Sequence, residues 1–427
     1  PGYMPRSPDE PGLRLFIAQP NAGRQVPAEL LLLPQDAFLP GAEDFSLPVD
    51  SLSRRLPADL PLLRRVKRQF PTSQLPALQS EIAPPDLMAP VSSETISVHY
   101  VFTGQGAGAI VELPCGVAVI DIGGEFGGGA GKVDGGSLFV DYLEAFFDER
   151  PQLDRTIDVL FVSHPHADHI NGEKQIRGAE VPFRILNLVD NGQTGDDGTL
   201  GKQTAFREWA LAAGAKYTAV ELARQSVATG ASNAGIDPFT CANVTAFWGG
   251  VNEAVVDGGP YGNPNNHSVL TRIDFGQASF LFLGDLQDQA AEDLLAEFED
   301  NLGVFDVDVF QLSHHGAEGD TTDKLLEVFS PKIGIISMGT EVSTARNSAF
   351  DHGHPRKAVI DLMQEDPSIV ADLRDPTATF WAFPDQEVPN QPAEIEKAIY
   401  GTGWEGHIVV TATAGGSYTV ETSGFED

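Results

Sequence analysis

From residue 96 onward the apolar positions come in short, β-branched runs separated by polar or glycine-rich breaks. Residues 97–103, 109–113 and 117–122 alternate or run apolar, and Pro114-Cys115-Gly116 supplies a turn between the last two, so antiparallel strands open a sheet here. Residues 138–147 then carry helix-like periodicity, and 157–162 return to a buried-strand pattern. The alternation continues. Strands are predicted at 183–189, 217–222, 244–248, 269–275, 280–283, 307–312 and 331–338, and helices at 204–213, 287–298 and 356–363. Residues 378–383, 407–412 and 418–421 read as closing strands. The pattern predicts an α/β protein in two similar halves.

Before residue 94 the texture is different. Pro5, Pro8, Pro11, Pro20, Pro27, Pro34 and Pro40 interrupt any long element, so residues 1–93 are expected to form an N-terminal extension of irregular structure, with the main domain at 94–427. Within the extension, Leu62, Leu63, Val66 and Phe70 recur at helical spacing among Arg64, Arg65, Lys67 and Arg68. A basic amphipathic helix of this kind suits an anionic surface; on an acidic chain, the protein's own surface is the expected partner.

Composition narrows the classes. The chain has 427 residues, enough for a large core plus an extension, and no apolar run approaches the length that spans a membrane. The net charge of -34 repels polyanions, so broad affinity for duplex nucleic acid is not expected. Cys115 and Cys241 do not make a disulfide framework and are expected to be packing residues. The chain opens on Pro1 rather than Met, so an initiator or a leader is expected to be missing already; separately, the protein is expected to be soluble, cytoplasmic or exported with its leader removed.

The candidate chemistry is concentrated at residues 161–172, where His164, His166, Asp168 and His169 follow the apolar run at 157–162. Imidazoles beside a carboxylate are a mixed donor set for a hydrolytic metal. His164 and His166, two apart on an extended segment, can share one ion, while Asp168 and His169 face a neighbouring point and can hold another. Two ions about 3.5 to 4 Å apart clamp both oxygens of a displacement and supply hydroxide near neutral pH. The same layout of a strand leading into histidines recurs at Ser313-His314-His315-Gly316, and Gly353-His354-Pro355 precedes the last predicted helix. The glycines of 123–136 do not make a phosphate loop, because Lys132 is followed by Val133 and position 126 is Phe.

The segment His164-Pro165-His166-Ala167-Asp168-His169 resembles the HxHxDH motif of the metallo-β-lactamase superfamily. Residues 119–124 (VIDIGG), the strand ending in Gly284-Asp285 and the HHG and GHP motifs extend the likeness over roughly residues 97–421. Within the superfamily, these motifs are similar to the hydrolase domain of the DNA-uptake competence channel protein and its soluble relatives. The stretch between Asn347 and His354 is longer than that branch's usual spacing, and membrane channel segments are absent. The resemblance implies an αββα metallo-β-lactamase sandwich and two divalent metal ions, zinc foremost, with manganese or iron as alternatives.

By the same resemblance Asp285 bridges the ions and Asp121 orients the ligand loop, with His352 a further outer residue. One ion is expected on His164, His166 and Asp285, with His314 or His315 in the position left open because no histidine lies between His169 and His267, unless Asp190, Asp196 or Asp197 substitutes. The other is expected on Asp168, His169, Asp285 and His354. Asp168, His314 and His315 are the candidate catalytic residues, and His99 and His407 are expected to be structural. The implied activity is hydrolysis by a metal-bound hydroxide. The foremost substrate is a phosphodiester, small or nucleic-acid; the alternatives are a lactone, thioester or β-lactam, and a non-catalytic metal-binding module.

Overall fold

The computed structural model describes residues 89–125, 134–220, 230, 232–249, 262–340, 347–365, 370, 372–386 and 388–425, together with four short strands within 1–44. The chain divides into two units, Pro1–Gln74 and Leu75–Asp427. In the first, Gly2–Met4, Leu13–Ile17, Leu30–Pro34 and Glu43–Asp44 form one sheet, so the expectation of irregular structure is corrected there. The strands are short and fall between the prolines or, at Pro34, end on one. A proline removes a ladder donor and so limits a strand's length without forbidding it. The basic segment of Leu62 to Phe70 lies outside the described residues.

The second unit is built on two sheets. The first runs, in spatial order, Lys216–Ala219, Asn187–Asp190, Val159–Phe161, Gly116–Ile122, Gly108–Leu113, Thr95–Tyr100, Ile408–Thr413 and Tyr418–Thr422. The second runs Asn243–Trp248, Leu270–Phe275, Ala278–Phe282, Val309–Gln311, Ile333–Ile336 and Ile399–Gly401. Every residue of Gly108–Leu113, Gly116–Ile122 and Ala278–Phe282 is buried, which is why these strands read as near-continuous apolar runs. One face of each sheet meets the other sheet. Val98, Val111 and Ile120 share a core with Phe280, Phe310 and Ile335, and the rings of Tyr100 and Phe282 stack at 5.8 Å.

Helices cover the outer faces. Gly135–Asp148 buries Phe139, Leu143 and Phe146 against Ile110, Val119 and Ile122 of the first sheet. Its far end is anchored by Arg150, which is fully buried and donates through Nε and Nη2 to both carboxylate oxygens of Glu112 at 2.8 and 2.7 Å. Asp288–Glu297, Asp323–Phe329 and Lys357–Glu365 bury Leu294, Leu326 and Ile360 on the other side. The four layers are the expected αββα arrangement.

Two sequence expectations need correction, and one strand went unpredicted. Residues 378–383 do not close a main sheet: Leu373–Ala382 pairs with Gln391–Lys397 as a separate two-stranded hairpin. The strand Ile399–Gly401, too short for a hydrophobic pattern to reveal, completes the second sheet instead. Cys115 and Cys241 are not lone packing residues but form a disulfide, with Cα atoms 6.1 Å apart across a sequence separation of 126. It joins the turn between two strands of the first sheet to the segment that enters the second, a proximity created by the packing of the sheets. Among the described residues no helix is long and apolar enough to cross a membrane.

Candidate metal centre

The site lies where strands of both sheets end. Val159–Phe161 leads into Ser163 and His164, and the chain stays extended to His166 before Ala167–Ile170 turns as a short helix carrying Asp168 and His169. From the second sheet, Ala278–Phe282 runs to Gly284 and Asp285, and Val309–Gln311 runs to His314 and His315. Gly284 has φ of 55°, and a Cβ there would come within 2.8 Å of Ser268 Oγ and 2.9 Å of Ser163 Cβ, so only glycine lets the two strand ends approach.

Two donor sets converge on Asp285. His164, His166 and Asp285 form one; Asp168, His169, Asp285 and His315 form the other, each with its ligating atoms within 4.8 Å of one another. Asp285 Oδ1 lies 3.0 Å from His169 Nε2 and 3.6 Å from His315 Nε2, while Oδ2 lies 3.8 Å from His164 Nε2. His315 Nε2 is also 3.2 Å from Asp168 Oδ2.

Three of the four imidazoles, those of His164, His169 and His315, are held from behind. His169 Nδ1 is 2.8 Å from Asp121 Oδ2, and the same carboxylate accepts from the backbone N–H and the hydroxyl of Ser163, both at 2.7 Å. Ser163 Oγ in turn lies 3.1 Å from His164 Nδ1, and Ser268 Oγ lies 3.3 Å from it and accepts from the Asp285 N–H at 3.1 Å. His315 Nδ1 donates to the Ser337 carbonyl at 2.7 Å. A ring whose Nδ1 hydrogen is committed this way presents a lone pair at Nε2, the form that binds a metal.

The electrostatics agree with that role at His164 and Asp285. Burial, with His169 beside it, holds the pKa of His164 well below the ordinary imidazole value, so the ring is neutral. Burial alone would raise Asp285, but His169, His315 and His314 around it bring its pKa well below the carboxylate range. His169 moves the other way: burial opposes its charge, and Asp285 and Asp121 on either side outweigh burial and raise it. His164 Nε2, His169 Nε2 and Asp285 Oδ1 are buried with no aligned hydrogen-bond partner. Unsatisfied buried donors and acceptors are costly, and a divalent cation among these imidazoles and carboxylates, taking the place of the proton that His169 holds, removes that cost, so these residues fit the metals expected from the sequence.

Some predicted residues are placed elsewhere. His354 belongs to neither set; its Nδ1 lies 3.5 Å from Gln105 Nε2, and His315 is the further histidine that clusters with Asp168, His169 and Asp285. The reason is local: His314 and His315 have successive left-handed backbones, φ 49° and 56°, which turn His315 inward against Ser337 and leave His314 toward the opening. His314 is outside both sets, with Nε2 3.9 Å from Asp285 Oδ2. His352 is half-buried and stacks on the His354 ring at 5.7 Å. Asp190 is committed to Arg207 at 2.7 Å and to the Tyr217 hydroxyl, and Asp196 and Asp197 are exposed on the loop before Gly198–Ala212. None of the three joins a donor set. His99 and His407 are buried in the first sheet's own packing.

Sequence reasoning missed Ser163, Ser268, Asp320 and the Ser337 carbonyl. Ser163 adjoins the ligand cluster and was within reach of a local argument; the others meet the site only through the fold.

No curated protein matches the chain. Among solved structures, the metallo-beta-lactamase fold protein YhfI from Bacillus subtilis is 12% identical, with 57% of this chain and 85% of that one covered at a TM-score of 0.33. A diphosphatase of the PhnP family is 14% identical, covering 56% and 86% at 0.31, and the short form of human tRNase Z is 13% identical, covering 56% and 92% at 0.27. Residues 135–340 match the profile of the Metallo-beta-lactamase superfamily, a span that includes both donor sets described above. The chain carries a metallo-beta-lactamase superfamily domain.

Proposed function

We propose that the protein is a dinuclear metal-dependent hydrolase acting on phosphodiesters. The observation that carries this reading is the pair of donor sets sharing Asp285, with His164 Nε2 buried and unpartnered and His169 Nε2 3.0 Å from Asp285 Oδ1 between them. His164, His166 and Asp285 would hold one ion, and Asp168, His169, Asp285 and His315 the other. Nitrogen and carboxylate donors without thiolate put zinc first, with manganese or iron as alternatives. When bound, the ions supply Lewis acidity and lower the pKa of water toward neutrality.

The chain's own residues do the rest. Asp121 and Ser163 fix the rings of His169 and His164, so both Nε2 atoms face Asp285 before substrate arrives. Asp168, with 32% of its side chain exposed, is the solvent-facing carboxylate of its set and would accept a hydrogen bond from a water there, orienting it. Paired sets about a shared carboxylate suit a phosphoryl centre, where attacking and leaving oxygens both need stabilising. The net charge of -34 favours a small phosphodiester over duplex nucleic acid. The Cys115–Cys241 disulfide favours an oxidising compartment.

The test is hydrolysis of a chromogenic phosphodiester by the protein as purified, after chelation, after zinc or manganese is restored, and in His166→Ala. Turnover that returns with metal and is missing from the variant is expected. Two bound ions without turnover would reject the phosphodiester assignment and direct attention to lactones, thioesters and β-lactams; no bound metal would reject the enzyme reading.

A further inference from the structure

His314 is the imidazole beside Asp285 that neither donor set uses, and it is built with as much care as the ones they do use. Its side chain keeps 24% of its surface exposed, against 3% for His315. Its Nδ1 lies 2.5 Å from Asp320 Oδ2, and Asp320 is itself buried. The Asp320 carboxylate also accepts the backbone N–H of Asp288, the first residue of the helix Asp288–Glu297 that follows Asp285. Asp320 therefore ties the His314 loop to the helix behind the shared carboxylate. With Nδ1 committed, the ring presents one nitrogen, Nε2, to the space beside Asp285 Oδ2.

A second side chain is aimed at the same point. Asn265 is 3% exposed, its amide nitrogen lies 3.4 Å from His314 Nε2, and its Oδ1 is buried without a hydrogen-bond partner. The unpartnered amide atom is an acceptor, so a ligand that donates a hydrogen to it, as a phosphate hydroxyl does, completes the arrangement.

We propose that His314 is a substrate-contacting residue distinct from the metal ligands, that Asp320 is its positioning residue, and that His314 Nε2 and the Asn265 amide face the phosphoryl group of the substrate. The inference rests on the hydrolase reading and deepens it by assigning the substrate-facing wall. A carboxylate behind a histidine fixes ring orientation, as Asp121 does for His169; here the oriented nitrogen faces substrate space instead of a donor set.

The test uses the full chain loaded with metal, as wild type, Asp320→Asn and His314→Gln. Four quantities are measured: metal content, calorimetric affinity for inorganic phosphate, kcat and KM on the chromogenic diester, and the imidazole nitrogen spectrum. Both variants are expected to keep the wild-type metal content and fold. Phosphate affinity should fall about tenfold in each, and kcat about a hundredfold in His314→Gln and less in Asp320→Asn. The Asp320→Asn spectrum should show the His314 Nδ1 signal displaced, which a merely structural carboxylate would not cause. Loss of an ion from His314→Gln would make His314 a ligand and overturn the proposal. Unchanged phosphate affinity in both variants, or loaded wild type that does not bind phosphate, would overturn it as well. Wild type that binds phosphate but turns nothing over rejects only the hydrolase reading, because the variants' phosphate affinities are read without turnover.

Discussion

Replacing Asp121 with asparagine should strip metal from the site while leaving the fold intact. The residue has φ of 58°, a conformation that asparagine tolerates nearly as well as aspartate, so the backbone has no reason to move. One oxygen can still accept the Ser163 N–H at 2.7 Å, but the other position becomes an NH2 group facing the Ser163 hydroxyl at 2.7 Å and His169 Nδ1 at 2.8 Å. Two donors then oppose each other at His169. The ring relieves this by moving its hydrogen to Nε2, the atom 3.0 Å from Asp285 Oδ1, and so loses the lone pair that a metal needs. Outer partners of metal-bound histidines typically govern about 10- to 100-fold in affinity, or about 1.4 to 2.8 kcal/mol. The loss should fall mainly on the set containing His169 and less on the His164 set, which Asp121 reaches only through Ser163 Oγ. Competition titration against a chromophoric chelator gives both dissociation constants, and circular dichroism checks the fold. Two constants within about twofold of wild type, in a folded variant, would refute the claim that Asp121 sets the His169 tautomer.

Two further outcomes follow from parts of the molecule away from the metals. The disulfide closes a loop of 126 residues across the two sheets, and a chain-entropy account gives it a stabilisation of about 5 kcal/mol. Urea unfolding of the Cys115→Ser, Cys241→Ser double variant should show a loss of that order, and reductant should lower the wild type to the same midpoint; coincident curves with and without the bond would contradict this. Burial holds His407 at a pKa of about 3, and burial with Arg150 and His407 nearby holds His99 at about 3. Because the unfolded chain takes up these protons near pH 6.5 and the folded protein does not until about 3, stability falls as pH drops through that window, by about 1.4 kcal/mol per pH unit per group. His99→Gln should flatten that slope by one group's share, and an unchanged slope would show that His99 titrates normally.

What the sequence revealed and what it hid follow from the range of the interactions involved. Fully buried strands announce themselves locally, because a run such as Gly116–Ile122 must be apolar on both faces whatever it packs against. The ligand cluster is equally local: His164 to His169 lie on one strand end and one turn of helix, so spacing alone brings them together. Asp285 was visible for a similar reason, since a glycine-aspartate step after a buried strand marks an exit at the sheet edge.

The choice between His315 and His354 was not visible, because it depends on two successive left-handed residues and on a carbonyl at Ser337 that only the neighbouring strand supplies. Neither polarity nor periodicity encodes a backbone angle at a histidine. Asp320 was hidden for another reason. In sequence it is one acid in a polar loop before Asp323–Phe329, and an acidic chain offers many of those. Its distinction is burial behind His314, with the first N–H of the helix Asp288–Glu297 holding it from the other side. The disulfide belongs with it: two cysteines 126 apart carry no spacing signal, and the sheets must pack before Cys115 and Cys241 meet. Residues of the candidate donor sets could thus be read from the chain, whereas those that hold the donors from behind take their meaning from contacts made in folding. Variants of the second kind, such as Asp121→Asn and Asp320→Asn, therefore separate the functions of this site more cleanly than removal of a ligand does, since they alter orientation and leave the donor count unchanged.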